Sequence, residues 1–135
     1  MTATPHAYRT AIEDRDPARL AAVLHPDVVF ETPAFQQPIR GRRNVLALFG
    51  VLSTMFEDPV ITDELCGECS RAITFRVGVD GHPIDGVDYL RLDQKGLVRR
   101  ITVTMRPLRS LQVLAERMAG TVRELSGERA SGELG

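Results

Sequence analysis

The main change in the spacing of apolar residues along this chain lies near position 58, and it limits what the chain can fold into. Before that point most apolar residues recur at steps of three and four, the period of a helix buried along one side. The longest such segment, residues 41–56, carries Val45, Leu48, Phe49, Leu52 and Phe56. From residue 60 to residue 105 the period is two, which is typical of strands. Helices followed by a run of strands predict an α+β domain, with helices on one face of a curved sheet.

Shorter segments complete the predicted order of elements. Residues 5–14 have helical spacing, and Asp16-Pro17 predicts an N-cap that opens a second helix over 17–24. A turn at residues 25–27 is expected to end that helix, because the residue before a proline disfavours helical backbone. One early strand is predicted over 28–32, followed by a loop over 34–40. The later strands are predicted over 60–65, 72–79, 84–92 and 97–105, and the last helix over 108–118.

Length and composition fit one domain with a real core. The chain has 135 residues, of which 43% are hydrophobic. We assign residues 1–120 to this single domain, and residues 121–135, rich in glycine and charge, to a flexible C-terminal tail. The outer face of the predicted sheet mixes arginine and threonine with valine and tyrosine. Since such a half-apolar face is often covered in an oligomer, we expect a homodimer through it.

Charge and composition exclude several classes of protein. A formal charge of -1 gives no field that attracts nucleic acid, and 5% aromatic residues without tryptophan disfavour base stacking. No apolar run is long enough to cross a membrane, and the N-terminus lacks the pattern of a signal peptide. Two cysteines do not make a secreted disulfide scaffold. We therefore expect a cytoplasmic protein, and the dominance of arginine over lysine indicates a GC-rich bacterial genome.

Four short motifs, in this order and spacing, resemble those of one superfamily. They are Tyr8 through Asp16, His25-Pro26-Asp27-Val28-Val29-Phe30-Glu31-Thr32-Pro33, Ile39-Arg40-Gly41-Arg42, and Gly86-Val87-Asp88-Tyr89-Leu90-Arg91-Leu92-Asp93 with the turn that follows. Together they resemble the nuclear transport factor 2-like superfamily, which includes ketosteroid isomerase, SnoaL-like polyketide cyclases and limonene-epoxide hydrolase. The resemblance implies a cone-shaped barrel: a strongly curved mixed, mainly antiparallel sheet wrapped around three to four helices. It does not imply one reaction, because this fold hosts many functions.

Within that resemblance, ketosteroid isomerase implies a catalytic pair. Its reaction uses a tyrosine and a protonated aspartic acid that hydrogen-bond the developing enolate oxygen, and a carboxylate base. The motif places Tyr8 and Asp88 at the oxyanion positions, but it places Thr32 where the base stands. Two supporting tyrosines correspond to Leu24 and Phe49. The resemblance therefore implies an oxyanion pair without the usual base.

The carboxylates next to these positions in sequence are not predicted to act as that base. Glu31 and Asp85 are out of phase with Thr32 and Asp88, and strand neighbours point to opposite faces. His25 and His82 lie near predicted turns, from which either is able to reach a pocket mouth. The epoxide-hydrolase pattern fails, because Gly86 stands where it needs an arginine. Water, a group of the substrate or an unidentified histidine remain as proton acceptors.

The interior-facing positions predict an apolar pocket for a hydrophobic small molecule, with no cofactor and no metal. Its expected substrate-binding residues are Phe30, Thr32, Phe49, Phe75, Val77, Val103 and Met105. A cofactor-free isomerase or cyclase acting on a steroid-, polyketide- or terpenoid-like carbonyl compound is one hypothesis. A non-catalytic ligand-binding or dimerisation module of the same fold is the alternative.

Each candidate residue also has an ordinary structural interpretation. Asp88 lies in phase with Leu90, where a buried carboxylate needs a partner such as Arg99 or Tyr8. Tyr8 is equally able to be a core tyrosine whose hydroxyl meets a polar neighbour.

Two further motifs also have more than one interpretation. Cys66-Gly67-Glu68-Cys69 lies between predicted strands, so we interpret it as a hairpin turn and not as a redox or zinc motif. Arg40, Arg42 and Arg43 bind an anionic group or a subunit in one interpretation and form a solvated face in the other.

Overall fold

In the computed structural model, residues 4–125 are described, with side chains over residues 4–120. This part of the chain contains four helices and six strands. The helices are α1 (Ala7–Glu13), α2 (Pro17–Val23), α3 (Arg42–Met55) and α4 (Leu108–Leu125). The strands are β1 (Leu24–Glu31), β2 (Ile39–Arg40), β3 (Glu57–Cys66), β4 (Ser70–Val79), β5 (His82–Leu92) and β6 (Val98–Arg106). The predicted α+β class is confirmed.

The six strands form one mixed sheet in the order β2-β1-β6-β5-β4-β3. Only β1 and β6 are parallel, and the other neighbours are antiparallel, as the resemblance implied. The sheet is curved but open, because β2 and β3 are its two edges. The sheet therefore curves around the helices as an open cone and does not close into a barrel.

Two local predictions were wrong, and the sheet explains both. The predicted turn at 25–27 belongs to β1, which begins at Leu24, directly opposite Val98. The register shifts between Leu24 and Val29, and Pro26 lies in this irregular part, where its missing N–H removes no regular bond. The predicted loop 34–40 ends in β2, because Ile39 and Arg40 pair with β1.

The core lies between the concave face of the sheet and the helices. Leu48 of α3, Leu114 of α4, and Leu90 and Ile101 of the sheet are all buried there. Burying one such side chain contributes roughly 1.5–3 kcal/mol, so these contacts hold the helices on the sheet. The predicted N-cap is confirmed, since Asp16 accepts a hydrogen bond from the Arg19 backbone N–H at 3.2 Å.

Helix α1 is held against the sheet edge by a buried carboxylate. Glu64 of β3 accepts a hydrogen bond from the His6 backbone N–H at 3.0 Å and from Arg71 at 2.9 Å. Its other oxygen lies 3.4 Å from the guanidinium of Arg9 on α1. With its side chain 7% exposed, Glu64 links α1 to the β3–β4 hairpin from the interior.

His6 caps the same helix. Its Nδ1 accepts the Tyr8 backbone N–H at 2.9 Å, and its Nε2 lies 2.9 Å from the Gly96 carbonyl oxygen. Since an amide only donates and a carbonyl only accepts, the ring carries its proton on Nε2. The first turn of α1, which carries Tyr8, is therefore held by the hydrogen bonds of His6 to the Tyr8 backbone and to Gly96.

The outer face of the sheet carries Val87 and Tyr89, the latter 39% exposed, among several arginines. The homodimer expected through this face stays a prediction. Helix α4 continues to Leu125, and the rest of the predicted tail, residues 126–135, lies outside the described residues. Among the described helices, none has both the length and the apolar character that a membrane crossing requires.

Candidate ligand-binding site

An apolar cavity of about 330 Å³ lies between the concave face of the sheet and the helices. Its walls come from all four helices, and its floor comes from β1 and from β3 to β6. The lining contains large apolar side chains both from the buried core and from the partly buried residues packed against it. It includes Tyr8, Ile12, Phe30, Thr32, Phe35, Phe49, Ile73, Phe75, Val77, Asp88, Val103, Met105, Leu114 and Met118.

Tyr8 and Asp88 form a hydrogen-bonded polar pair in the lining of this cavity. The Tyr8 hydroxyl donates to Oδ2 of Asp88 at 3.1 Å, joining α1 to the middle of β5. Arg99, the other partner considered for Asp88, instead contacts the His25 ring at 2.9 Å. The structure thus brings together the two residues that the resemblance paired.

Burial changes the acidity of both groups. Asp88 lies between Ile73 and Val103 on the neighbouring strands, where it is partly buried and lines the cavity. Desolvation raises its pKa from 3.8 to about 7, although the hydrogen bond from Tyr8 acts in the opposite direction. Burial raises the pKa of Tyr8 well above its usual value, and the Asp88 charge adds to this. Near neutral pH the pair therefore holds a neutral phenol beside a carboxyl group that is readily protonated.

Aromatic packing fixes the direction of the Tyr8 ring. Phe49 of α3 meets Tyr8 edge to face with ring centroids 6.3 Å apart, and Phe30 of β1 meets Phe49 at 5.5 Å. The resemblance implies a supporting tyrosine at position 49, but Phe49 has no hydroxyl and contacts the Tyr8 ring by packing. Leu24, at the other such position, is fully buried and lies outside the lining.

All seven residues expected to bind substrate line the cavity together with Tyr8 and Asp88. The helical positions Leu114 and Met118 also line it, and their spacing of four residues on one face of α4 was the signal for them. Phe35 was missed because it lies in an irregular segment. Gly50 of α3 lines the cavity too, and a Cβ at this position would meet no atom within 4 Å, so no close contact requires a glycine there.

No histidine of the described chain lines the cavity. His6 caps α1, His25 contacts Arg99, and His82 opens β5. The idea that His25 or His82 reaches the mouth is therefore wrong. Besides Tyr8 and Asp88, the titratable groups of the lining are Arg15 and Asp16, at the turn between α1 and α2. Asp16 is already engaged as the α2 cap.

The remaining candidates lie elsewhere. Glu31 accepts from Arg100 at 2.6 Å and, as expected, is absent from this cavity, while Asp85 pairs with Arg76 and Arg106 on the outer face. None of the arginines 40, 42 and 43 lines it.

The cysteine motif forms the turn between β3 and β4, as predicted, with both thiols free and exposed. Over the described residues, no group of three or more His, Cys, Asp or Glu side chains is arranged to hold a metal.

Comparisons with known proteins agree with this fold. Residues 6–106 match the model of the SnoaL-like domain. A steroid delta-isomerase from Pseudomonas aeruginosa is 29% identical, with a TM-score of 0.76 over 94% of this chain and 88% of that one. A cystatin-like-fold protein from Silicibacter pomeroyi is 25% identical, with a TM-score of 0.79 over 86% of this chain and 82% of that one.

A further comparison supports the fold alone. An NTF2-like protein from Burkholderia xenovorans is 17% identical, with a TM-score of 0.65 over 79% of this chain and 89% of that one. The comparison with curated proteins finds no match.

Proposed function

The chain belongs to the SnoaL-like domain family, and on this basis we propose that it binds a hydrophobic carbonyl compound and stabilises its enolate. The observation that carries the proposal is the Tyr8–Asp88 hydrogen bond at the wall of an apolar cavity. Apolar walls hold the body of such a compound. The Tyr8–Asp88 pair then gives its oxygen a place where hydrogen bonds replace the water that it loses.

The pair suits the chemistry of an enolate. Removing a proton beside a ketone moves negative charge to the oxygen, where donors in a dry site are most effective. Tyr8 has one O–H, which donates to Asp88 in the ligand-free protein. When Asp88, with its pKa at about 7, is protonated, it no longer needs that donor, so the Tyr8 O–H is able to turn to the ligand oxygen and the Asp88 O–H is the second donor. Isomerisation or ring closure both pass through this charge, so either reaction fits the pair.

The proton acceptor is the open part of the mechanism. Thr32 lines the cavity where ketosteroid isomerase has its base, and a hydroxyl is not a base at neutral pH. With the three histidines outside the lining and the Asp16 carboxylate engaged as the α2 cap, water or a group of the substrate itself is left to take the proton. A substrate with an acidic hydrogen, such as one between two carbonyl groups, needs least help from the protein.

The same absence of a base favours a second function. A module that binds a ligand without converting it needs only the cavity and its polar pair. The two functions differ in turnover and not in binding, so a binding experiment precedes any assay of activity.

We expect a ligand screen by thermal shift to identify the class of compound. Steroid, aromatic polyketide-like and terpenoid ketones are tested on the wild type and on Tyr8→Phe/Asp88→Leu, a variant with neither donor. A ligand at one hundred times its dissociation constant adds roughly 2.7 kcal/mol of stability. The proposal predicts a class that stabilises the wild type more than the variant. Equal stabilisation of both proteins by every ligand contradicts it.

A further inference from the structure

The cavity floor beside Asp88 is a row of three residues on neighbouring strands. Gly86 of β5 lies directly opposite Phe75 of β4 and, on its other side, opposite Met105 of β6. Phe75 and Met105 line the cavity. Residues 86 and 88 face the same side of the sheet, about 7 Å apart along the strand. A ligand whose oxygen meets Asp88 therefore rests its body over this row.

The Phe75 ring occupies the space that a side chain at position 86 would need. A Cβ on Gly86 would lie 2.7 Å from Cε2 and 2.9 Å from Cε1 of that ring, and still closer to Cζ. Gly86 is not among the glycines with positive φ, so its backbone does not require glycine. The reason for a glycine here is the ring that lies across it.

We propose that the Phe75–Gly86 pair sets the width of the cavity and thereby the size of ligand that it accepts. This inference rests on the proposed function. Carbon atoms in contact stay about 3.5–4.0 Å apart, so a methyl group at position 86 displaces the ring by about 1 Å or more. The strand lies beneath the ring, and the open space lies above it. The ring therefore moves into the cavity and narrows it over the place where the ligand body rests.

The test measures a size profile with three ketones: cyclohexanone, 2-tetralone and progesterone. Calorimetric titration compares the wild type with Gly86→Ala, the double variant Gly86→Ala/Phe75→Leu, and Gly120→Ala. The last is a control on the exposed side of α4, where a Cβ meets no atom within 4 Å. We expect Gly86→Ala to weaken the binding of the largest ketone that the wild type binds by about tenfold or more. The affinity for cyclohexanone should change little. The double variant restores most of the affinity for the largest ketone.

A uniform loss across the three ketones, or no loss, overturns the inference. If Gly86→Ala does not fold, Phe75→Leu alone decides, because the inference predicts tighter binding of the largest ketone and an unchanged profile contradicts it. A wild type that binds no ketone contradicts the proposed function instead. The crystal structure of Gly86→Ala then decides the inference, which requires the Phe75 ring to be displaced into the cavity and fails if the ring has not moved.

Discussion

Replacing Asp88 with asparagine is expected to stabilise the ligand-free protein at neutral and higher pH while removing the acidic end of its cavity. The Asp88 pKa is 3.8 in an unfolded chain and about 7 in the fold. Between these values the folded state holds a proton that the unfolded state has lost, so stability falls as pH rises. The full difference corresponds to about 4 kcal/mol, an upper bound because the cavity admits water. Asparagine does not ionise, so this loss disappears.

Urea unfolding at several pH values from about 4.5 to 8 measures this effect. The wild type should lose stability across the range, and Asp88→Asn should show a flatter profile that crosses above it. Asp85→Asn is the matched control. It removes a carboxylate from the same strand, but one that faces outward and pairs with Arg76 and Arg106. Equal slopes for the wild type and Asp88→Asn would mean that the buried carboxyl group does not cause the loss.

Replacing Tyr8 with phenylalanine is expected to give the largest loss of activity, if the protein catalyses enolisation as proposed. The variant removes one donor from the enolate oxygen, and losing such a donor costs about 10²–10³ in rate. It also removes the hydrogen bond that lowers the Asp88 pKa, so that pKa rises further. Proton NMR in D₂O measures the rate at which the α-hydrogens of 2-tetralone exchange. The pH dependence of that rate reports the change in the Asp88 pKa.

The second tyrosine of the chain provides the control for this variant. Tyr89 lies next to Asp88 in sequence but faces the outer side of the sheet, where it is 39% exposed. The Tyr89→Phe variant should therefore exchange the α-hydrogens of 2-tetralone at the wild-type rate. Exchange by Tyr8→Phe at that same rate would remove Tyr8 from the mechanism and leave the binding function.

Much of the site followed from strand alternation and from one resemblance. Alternation along residues 84–92 placed Asp88 on the apolar face, and the same rule placed Asp85 outside. The pairing with Tyr8 came from the resemblance, because no local pattern relates two residues 80 positions apart. The same limit explains why the sequence alone leaves Arg99 as an alternative partner, whereas in the fold Arg99 contacts His25.

What the sequence did not predict depends on contacts between distant segments. β2 is only two residues long and forms because β1 offers it a partner, so its composition carries little signal. Strand β1 begins at Leu24, before Pro26, for a similar reason, since pairing with β6 outweighs a local turn preference. The role of Gly86 likewise depends on a ring from the neighbouring strand.

The most direct test of the central claim compares two ligands that differ by one oxygen. 2-Tetralone has the ketone that Tyr8 and Asp88 are proposed to bind, and tetralin has the same two rings without it. Calorimetric titration at about pH 6, where Asp88 is mainly protonated, measures both on the wild type and on Tyr8→Phe/Asp88→Leu, which has neither donor. We predict that the wild type binds 2-tetralone about tenfold tighter than tetralin, worth about one hydrogen bond, and that the double variant loses most of this preference. Equal binding of the two ligands by the wild type would show that the polar pair does not recognise a carbonyl oxygen.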